Sequence, residues 1–98
     1  MNKTYLKSKK GTVKVTFELP AEVSAEEAVV VGEFNNWDPA ATPMKRKKDG
    51  SFSVAMNLET GKEYRYKYYL DGQRWENDPT ADASAPNIFG TTDSVLVV

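Results

Sequence analysis

Strict alternation between apolar and polar side chains is the feature that most constrains the fold of this chain. In residues 12–19 the odd-numbered positions carry Val, Val, Phe and Leu, and the even-numbered positions carry Thr, Lys, Thr and Glu. Residues 64–70 alternate in the same way, with three tyrosines and a leucine on one face. Because successive side chains of a strand point to opposite faces, both segments are predicted to be β-strands with one buried face.

Turn residues divide the rest of the chain into short strands. Asp49-Gly50 is a strong hairpin signal, and Asp71-Gly72 turns the chain after the tyrosine-rich segment. Apolar runs at residues 28–31 and 94–98 predict further strands, whereas residues 79–90 are expected to form a long loop. About seven short strands without any amphipathic helix indicate an all-β protein, an antiparallel β-sandwich of immunoglobulin-like size.

Length and composition limit both the number of domains and the available chemistry. A chain of 98 residues suits a single domain, residues 1–98, in which residues 1–10 are expected to be a loosely attached segment. It has neither Cys nor His, so thiolate nucleophiles and the commonest metal ligand are missing, and we expect no metal and no cofactor. The 13 basic and 14 acidic residues nearly cancel, which argues against nucleic acid and anionic membranes as partners. Without a secretory signal or an apolar span, a cytoplasmic location is expected.

Two tryptophans stand outside the alternating strands. Trp37 lies in a segment rich in turn-forming residues. Trp75 follows a hairpin turn and is flanked by two charged residues. One interpretation is that both rings plug the open ends of the sandwich. The other is that two exposed indoles form a platform for pyranose rings, whose axial C–H groups an aromatic face can cover. The pattern of residues alone leaves both interpretations open.

Three further groups of polar residues are candidates for binding or catalysis. Lys67 has the outward parity of the tyrosine-rich strand and could donate hydrogen bonds to sugar hydroxyls, or could be a solvated surface lysine. Glu76 and Asp78 have the spacing of a carboxylate pair, but an Asp-Pro turn in a sandwich without a deep cleft argues against glycoside hydrolysis. The basic run at residues 45–48 could contact phosphate or protect a sheet edge from pairing. The chain is therefore not expected to be an enzyme.

Four sequence blocks follow one another in a specific order. They read Val-Val-Gly-Glu-Phe-Asn-Asn-Trp at residues 30–37, Tyr-Lys-Tyr-Tyr-Leu-Asp-Gly at 66–72, Trp-Glu-Asn-Asp-Pro at 75–79 and Asn-Ile-Phe-Gly-Thr at 87–91. Together they resemble the isoamylase early-set domains, also called family-48 carbohydrate-binding modules. That family includes the glycogen-binding domain of the AMP-activated protein kinase β subunit and N-terminal modules of branching and debranching enzymes. The resemblance covers residues 10–98 and is closest to small bacterial stand-alone members.

The resemblance also implies which residues bind sugar. Two aromatic rings are implied to stack on glucose units, a lysine to hydrogen-bond the sugar, and an apolar residue, a threonine and an amide to complete the site. The hairpin that leads to the second ring is one residue longer here than in the kinase subunit. The last position holds an aspartate, which can accept hydrogen bonds but cannot donate them as an amide does. In this chain the six positions are Trp37, Trp75, Lys67, Phe89, Thr91 and Asp93.

The leading hypothesis is a non-catalytic module of the early-set fold that binds an α-1,4-glucan such as glycogen or starch through an aromatic platform. The family implies curved, helical glucans as ligands. A catalytic barrel would need ~250 residues, so this chain alone is not expected to hydrolyse or branch glucan. The alternative hypothesis is a protein-interaction or regulatory module without sugar binding, because exposed Trp and Tyr are also favoured at protein interfaces. A glycogen-metabolising enzyme or a regulatory protein is a further expected partner.

Overall fold

The computed structural model describes all 98 residues and contains nine β-strands and no α-helix. Two 3-10 turns, Ala21–Val23 and Glu33–Asn35, lie between strands. No helical segment has the length and hydropathy of a membrane span. The strands are β1 (Asn2–Tyr5), β2 (Thr12–Leu19), β3 (Ala28–Gly32), β4 (Lys45–Arg46), β5 (Phe52–Glu59), β6 (Glu63–Leu70), β7 (Arg74–Glu76), β8 (Ala83–Pro86) and β9 (Thr92–Val97).

Two antiparallel sheets pack face to face as a sandwich. The first sheet has the order β1-β2-β5-β4, and β2 pairs with β5 over its full length. The second sheet has the order β3-β6-β9-β8, with β7 added to β6. The central strand β6 pairs with β3, β9 and β7. The all-β sandwich predicted from the sequence is therefore confirmed, with nine strands in place of about seven.

The predicted alternation decides which residues form the core. All four apolar residues of β2 are buried, and β6 buries Tyr66, Tyr68 and Leu70 against them. Phe17 meets the Tyr66 ring edge-on, with 5.2 Å between the ring centroids. Burial of the even-numbered face of β6 leaves Arg65, Lys67 and Tyr69 on the outer face of the second sheet. That outer row is where the candidate site lies.

Three segments differ from the sequence-based prediction. Residues 2–5, expected in a loosely attached segment, form β1, which is paired with β2 along its whole length. Lys3 extends this attachment to the second sheet, because its ammonium group donates to Asp82 at 2.7 Å and to the Val97 carbonyl at 3.0 Å. Within the predicted loop at residues 79–90, residues 83–86 form β8 and pair with β9. The last strand begins at Thr92, two residues before the predicted start.

Candidate functional site

An open groove of about 640 Å³ lies over the outer face of β6. Its floor includes Lys67, and its walls come from the turn after β3, from β7 and from the connection between β8 and β9. All six residues implied by the family resemblance line it, and Asn87 is a seventh that the sequence analysis did not single out. The lining residues are Trp37, Lys67, Trp75, Asn87, Phe89, Thr91 and Asp93.

Trp37 reaches the groove because the chain makes an unusual turn after β3. Asn36 and Trp37 both have left-handed backbones, with φ values of 57° and 58°. A bulky residue rarely adopts this conformation, which costs of order 1–3 kcal/mol and persists only where surrounding contacts impose it. The Trp37 N–H donates to the Gly32 carbonyl at 2.9 Å and closes the turn. The indole remains 38% exposed, so it does not plug the sandwich.

Asn35 supplies the contacts that impose this turn. Its side-chain oxygen accepts a hydrogen bond from the Gly32 N–H at 3.0 Å. Its amide nitrogen donates to the Val30 carbonyl at 3.0 Å and to the Thr42 hydroxyl at 3.1 Å. One side chain therefore ties the end of β3 to the segment that returns along it, and the indole projects from the closed loop.

Gly32 is required here by close packing. A β-carbon at this position would lie 2.5 Å from the Arg65 carbonyl oxygen and 2.7 Å from the Tyr66 Cβ. Neither neighbour can move easily, because both belong to the central strand β6. The glycine therefore lets β3 and its turn approach β6 closely enough for Trp37 to overhang the groove.

Trp75 stands on the short strand β7, opposite Tyr69 of β6. Since directly paired residues share a face of the sheet, Trp75 lies on the same side as Lys67. The longer hairpin at residues 71–74 therefore does not rotate this ring away from the groove. Trp75 is 50% exposed, and its ring centroid lies 4.3 Å from that of Tyr69.

Asn87 organises the turn between β8 and β9. Its side-chain oxygen accepts hydrogen bonds from the backbone N–H groups of Phe89 at 3.0 Å and Thr91 at 3.2 Å. Its amide nitrogen donates to the Thr91 hydroxyl at 2.8 Å and to the Asp93 carboxylate at 3.0 Å. These bonds use both amide hydrogens, so Asn87 shapes the groove wall and has no free donor for a ligand. An asparagine after a proline and three residues before a glycine, a combination typical of turns, is the signal that could have identified it.

Lys67 and Thr91 bring adjustable polar groups to the groove. The Lys67 ammonium lies 3.3 Å from the Thr91 hydroxyl oxygen, a long hydrogen bond that leaves its other hydrogens available. Lys67 forms no ion pair with a carboxylate within 4.0 Å. Lys67 can therefore offer free hydrogen-bond donors from the floor of the groove. The Thr91 hydroxyl donates to the Asn87 side-chain oxygen at 3.2 Å and would have to turn from it to donate to a ligand.

Asp93 is held more tightly than the other lining residues. It is only 7% exposed, and Arg65 lies 3.6 Å from one carboxylate oxygen while Asn87 donates to the other. Arg65 also donates to the Pro86 carbonyl at 3.1 Å, which ties this carboxylate to the end of β8. Asp93 therefore presents a neutralised acceptor edge to the groove.

Phe89 lies at the tip of the turn and is 83% exposed, next to the still more exposed Ile88. Exposed apolar side chains that gather around a groove are typical of a binding site, whereas single ones are common on any surface. Together with Trp37 and Trp75, Phe89 makes three of the seven lining side chains aromatic. The groove therefore combines three aromatic side chains on its walls with polar side chains on its floor and on the wall formed by the connection between β8 and β9.

The carboxylates weighed for catalysis serve other roles. Asp78 follows β7, is buried, and accepts hydrogen bonds from the hydroxyls of Tyr66 at 2.7 Å and Tyr68 at 3.0 Å. Its other oxygen accepts from the Thr80 N–H at 2.8 Å, the turn-capping role predicted for an Asp-Pro turn. The pKa values of both tyrosines are raised well above the ordinary range; burial is the main cause, and the nearby Asp78 carboxylate adds to it. Glu76 pairs with Arg74 at 3.6 Å on the surface.

The remaining charged candidates lie away from the groove. The basic run at residues 45–48 begins in β4, an edge of the other sheet, and its four side chains are exposed. Its only ion pair is the 4.0 Å contact between Arg46 and Glu26. No three acidic side chains come together as metal ligands. The groove is thus the place where the aromatic and polar candidates converge.

Comparison with known proteins places this sandwich in a family. Residues 13–98 match the family described as the glycogen recognition site of AMP-activated protein kinase. The chain is also similar to the 1,4-alpha-glucan branching enzyme GlgB of Aquifex aeolicus, with 37% identity over 57 residues, which are 55% of this chain and 9% of the enzyme. The 1,4-alpha-glucan-branching enzyme of Emericella nidulans is 45% identical over 38 residues, which are 39% of this chain and 6% of that enzyme.

The branching enzymes are much longer than the region they share with this chain, so the similarity concerns one module of each. The family match is more extensive, because it runs from β2 to the last residue and includes every residue that lines the groove. It confirms the resemblance found in the four sequence blocks. This chain therefore belongs to the family of the glycogen recognition site of AMP-activated protein kinase.

Proposed function

We propose that this chain is a non-catalytic module that binds α-1,4-glucan, such as glycogen or a starch-like polymer, in the groove over β6. The observation that carries the proposal is that both tryptophans of the chain open onto one groove together with Lys67 and Thr91. Membership in a glycogen-recognition family and similarity to glucan branching enzymes support the same ligand class.

Stacking on the two indoles is the main source of affinity in this proposal. One face of a pyranose ring carries axial C–H groups, and an aromatic ring can cover that face while the sugar hydroxyls remain hydrated. Lys67 and Thr91 then donate to hydroxyls at the ring edge, and Asp93 accepts. Such solvent-competed contacts give a modest affinity, in the micromolar to millimolar range, or roughly −4 to −8 kcal/mol.

The shape of the groove suits a polymer. The carboxylate of Asp93 is balanced by Arg65, which leaves the Lys67 ammonium as the one unpaired charge of the lining and a hydrogen-bond donor for sugar hydroxyls. An open groove can accept an internal stretch of a long chain, whereas a closed pocket would select chain ends. This openness suits a polysaccharide better than a small metabolite.

The same side chains give no support to catalysis. Glycoside hydrolysis uses two carboxyl groups on either side of the scissile bond, with a raised pKa for the acid. Only one carboxylate, Asp93, lines the groove, and it is fixed by Asn87 and Arg65. A binding role is therefore the better supported one.

Tryptophan fluorescence is a selective probe for this proposal, since the only two indoles of the chain both line the groove. Titration with maltoheptaose or β-cyclodextrin should change the emission and saturate by about 10 mM. Cellohexaose, which presents β-1,4-linked glucose in a flat chain, serves as the control sugar and should give a much smaller change. Unchanged emission with all three sugars would contradict the proposal.

Alanine variants test the contribution of each ring. Trp37→Ala and Trp75→Ala should each weaken maltoheptaose binding at least tenfold in calorimetry, which corresponds to about 1.4 kcal/mol. Tyr5→Ala is the matched control, because Tyr5 is an exposed aromatic residue of β1 in the other sheet. If both tryptophan variants fold and keep the affinity of the Tyr5 control, the rings do not form the site.

A further inference from the structure

Trp75 has an aromatic neighbour that does not line the groove. Tyr69 lies opposite Trp75 in the pairing of β6 with β7, and their planes are inclined by 32° at a centroid distance of 4.3 Å. This is a close, tilted contact between the two rings, shorter than the other aromatic pairs of the chain. The Tyr69 hydroxyl donates to the Gly72 carbonyl, inside the hairpin that connects the two strands. The tyrosine is therefore fixed at both its backbone and its hydroxyl.

We propose that Tyr69 is a positioning residue that holds the plane of Trp75 and leaves one indole face for the glucan. The inference rests on the proposed function, because positioning matters only if Trp75 stacks on sugar. Tyr69 covers one face of the indole, and a ring with one covered face and one free face fits the half exposure of Trp75. Trp75 lines the groove and Tyr69 does not, so the proposal assigns the free face to the groove.

The short strand that carries Trp75 explains why such support is needed. β7 has only three residues, and its other two side chains are exposed and pair with each other on the surface. An exposed side chain that must be immobilised on binding loses rotamer entropy, which weakens the complex. Stacking on a ring that is already fixed removes part of that loss before the ligand arrives.

The positioning role also assigns a direction to the bound sugar. Because Tyr69 occupies one side of the indole, glucose can stack only on the other side. Lys67 lies two residues before Tyr69 on the same face of β6 and lines the groove with Trp75, so the proposal assigns its ammonium to the sugar that Trp75 holds. Without Tyr69, the indole could turn and present either face to solvent, and the donors on the floor would no longer be aligned with it.

The state of Trp75 can be measured without any sugar. In a Trp37→Phe background, Trp75 is the only indole, and acrylamide quenching reports how much of it is open to collision. Tyr69→Leu should raise the quenching constant by about twofold, because two faces become accessible instead of one. Tyr69→Phe keeps the ring and should stay close to the parent. Tyr5→Leu is the matched control in the other sheet and should also leave quenching unchanged.

Affinity is measured separately, on chains that retain both tryptophans. Calorimetry with maltoheptaose should show a roughly 3- to 10-fold loss for Tyr69→Leu and less than about a threefold change for Tyr69→Phe and Tyr5→Leu. The proposal is overturned if Tyr69→Leu leaves either the quenching constant or the affinity at the parent value, or if Tyr5→Leu causes an equal loss. If the parent chain itself binds no maltoheptaose, the proposed function fails, whereas the quenching result still decides whether Tyr69 fixes the indole.

Discussion

Replacing Asn35 with alanine should loosen the turn that carries Trp37. The substitution removes hydrogen bonds to the Gly32 N–H, the Val30 carbonyl and the Thr42 hydroxyl, with lengths of 3.0, 3.0 and 3.1 Å. All three are partly buried, so water replaces them only incompletely. At ~0.5–1.5 kcal/mol for each net hydrogen bond, the loss is about 2–4 kcal/mol.

That loss is large but should leave the chain folded, since domains of this size have about 5–15 kcal/mol of stability. The melting temperature should fall by roughly 10–30 °C, from about 4–8 °C for each kcal/mol. Asn57→Ala is the matched control, because Asn57 is an exposed residue of β5 without a side-chain hydrogen bond. It should change stability by no more than about 0.5 kcal/mol.

Two measurements on the same proteins separate stability from positioning. Urea unfolding followed by far-UV circular dichroism gives the free energy of unfolding. In a Trp75→Phe background, the emission of Trp37 shows whether the indole has left its half-exposed position. Asn35→Asp keeps the acceptor for Gly32 but loses the amide donor, and it should fall between the parent and Asn35→Ala. The reasoning is refuted if Asn35→Ala matches Asn57→Ala in stability, or if Trp37 emission does not change when stability falls.

Three other predictions concern burial, close packing and the groove wall. Burial raises the pKa values of Tyr66 and Tyr68 in the folded chain, so above about pH 10 the unfolded chain loses these two protons first. The free energy of unfolding should therefore be constant below pH 10 and fall by ~2.7 kcal/mol per pH unit above it. Urea midpoints at pH 9 and 11 check this, and Tyr68→Phe should roughly halve the slope. Gly32→Ala should destabilise the fold by ~1–3 kcal/mol or more, because the added β-carbon clashes with β6. A free energy of unfolding, measured in urea, within about 0.5 kcal/mol of the parent would contradict that. Asn87→Ala should weaken maltoheptaose binding by about tenfold in calorimetry while the melting temperature falls by less than about 8 °C, because most of the Asn87 hydrogen bonds are exposed and water can replace them. Unchanged affinity would show that the turn keeps its shape without the Asn87 side chain.

The sequence predicts best the strands in which apolar and polar side chains alternate, because that alternation itself determines which side chains are buried. Residues 12–19 and 64–70 alternate so regularly that only one register buries all their apolar side chains. The strands at residues 2–5 and 83–86 have no such pattern, since one is polar and the other contains only Ala, Ser and Pro. The first forms because it pairs with β2 and because Lys3 binds Asp82 and the Val97 carbonyl, and the second forms because it pairs with β9. Pairing of that kind depends on tertiary structure, which a local pattern cannot reveal.

The candidate site shows a similar division. The family resemblance brought together six residues that are up to 56 positions apart, from Trp37 to Asp93, and the structure places all six around one groove. Their roles toward sugar remain predictions. Tyr69 was not identified, because its stacking on Trp75 exists only after β6 and β7 have paired. Asn87 acts within its own turn, where its local sequence was the only signal.

The exposure of the two indoles also required the structure. The exposure of Trp37 depends on two consecutive residues with left-handed backbones, and that of Trp75 depends on its pairing with Tyr69, which sets the face of the sheet on which it lies. Neither property follows from composition or periodicity. Sequence alone therefore left open whether these rings fill the ends of the sandwich or face water.

The most direct test of the account is a heteronuclear NMR titration of the isotope-labelled chain with maltoheptaose. The spectrum should contain two indole N–H signals, one from Trp37 and one from Trp75. Both should shift along saturable curves with the same dissociation constant, together with backbone signals of Lys67 and Thr91, while signals from the outer face of β2 and β5 stay in place. Indole signals that remain fixed at about 10 mM sugar, or shifts confined to the opposite sheet, would contradict binding in this groove.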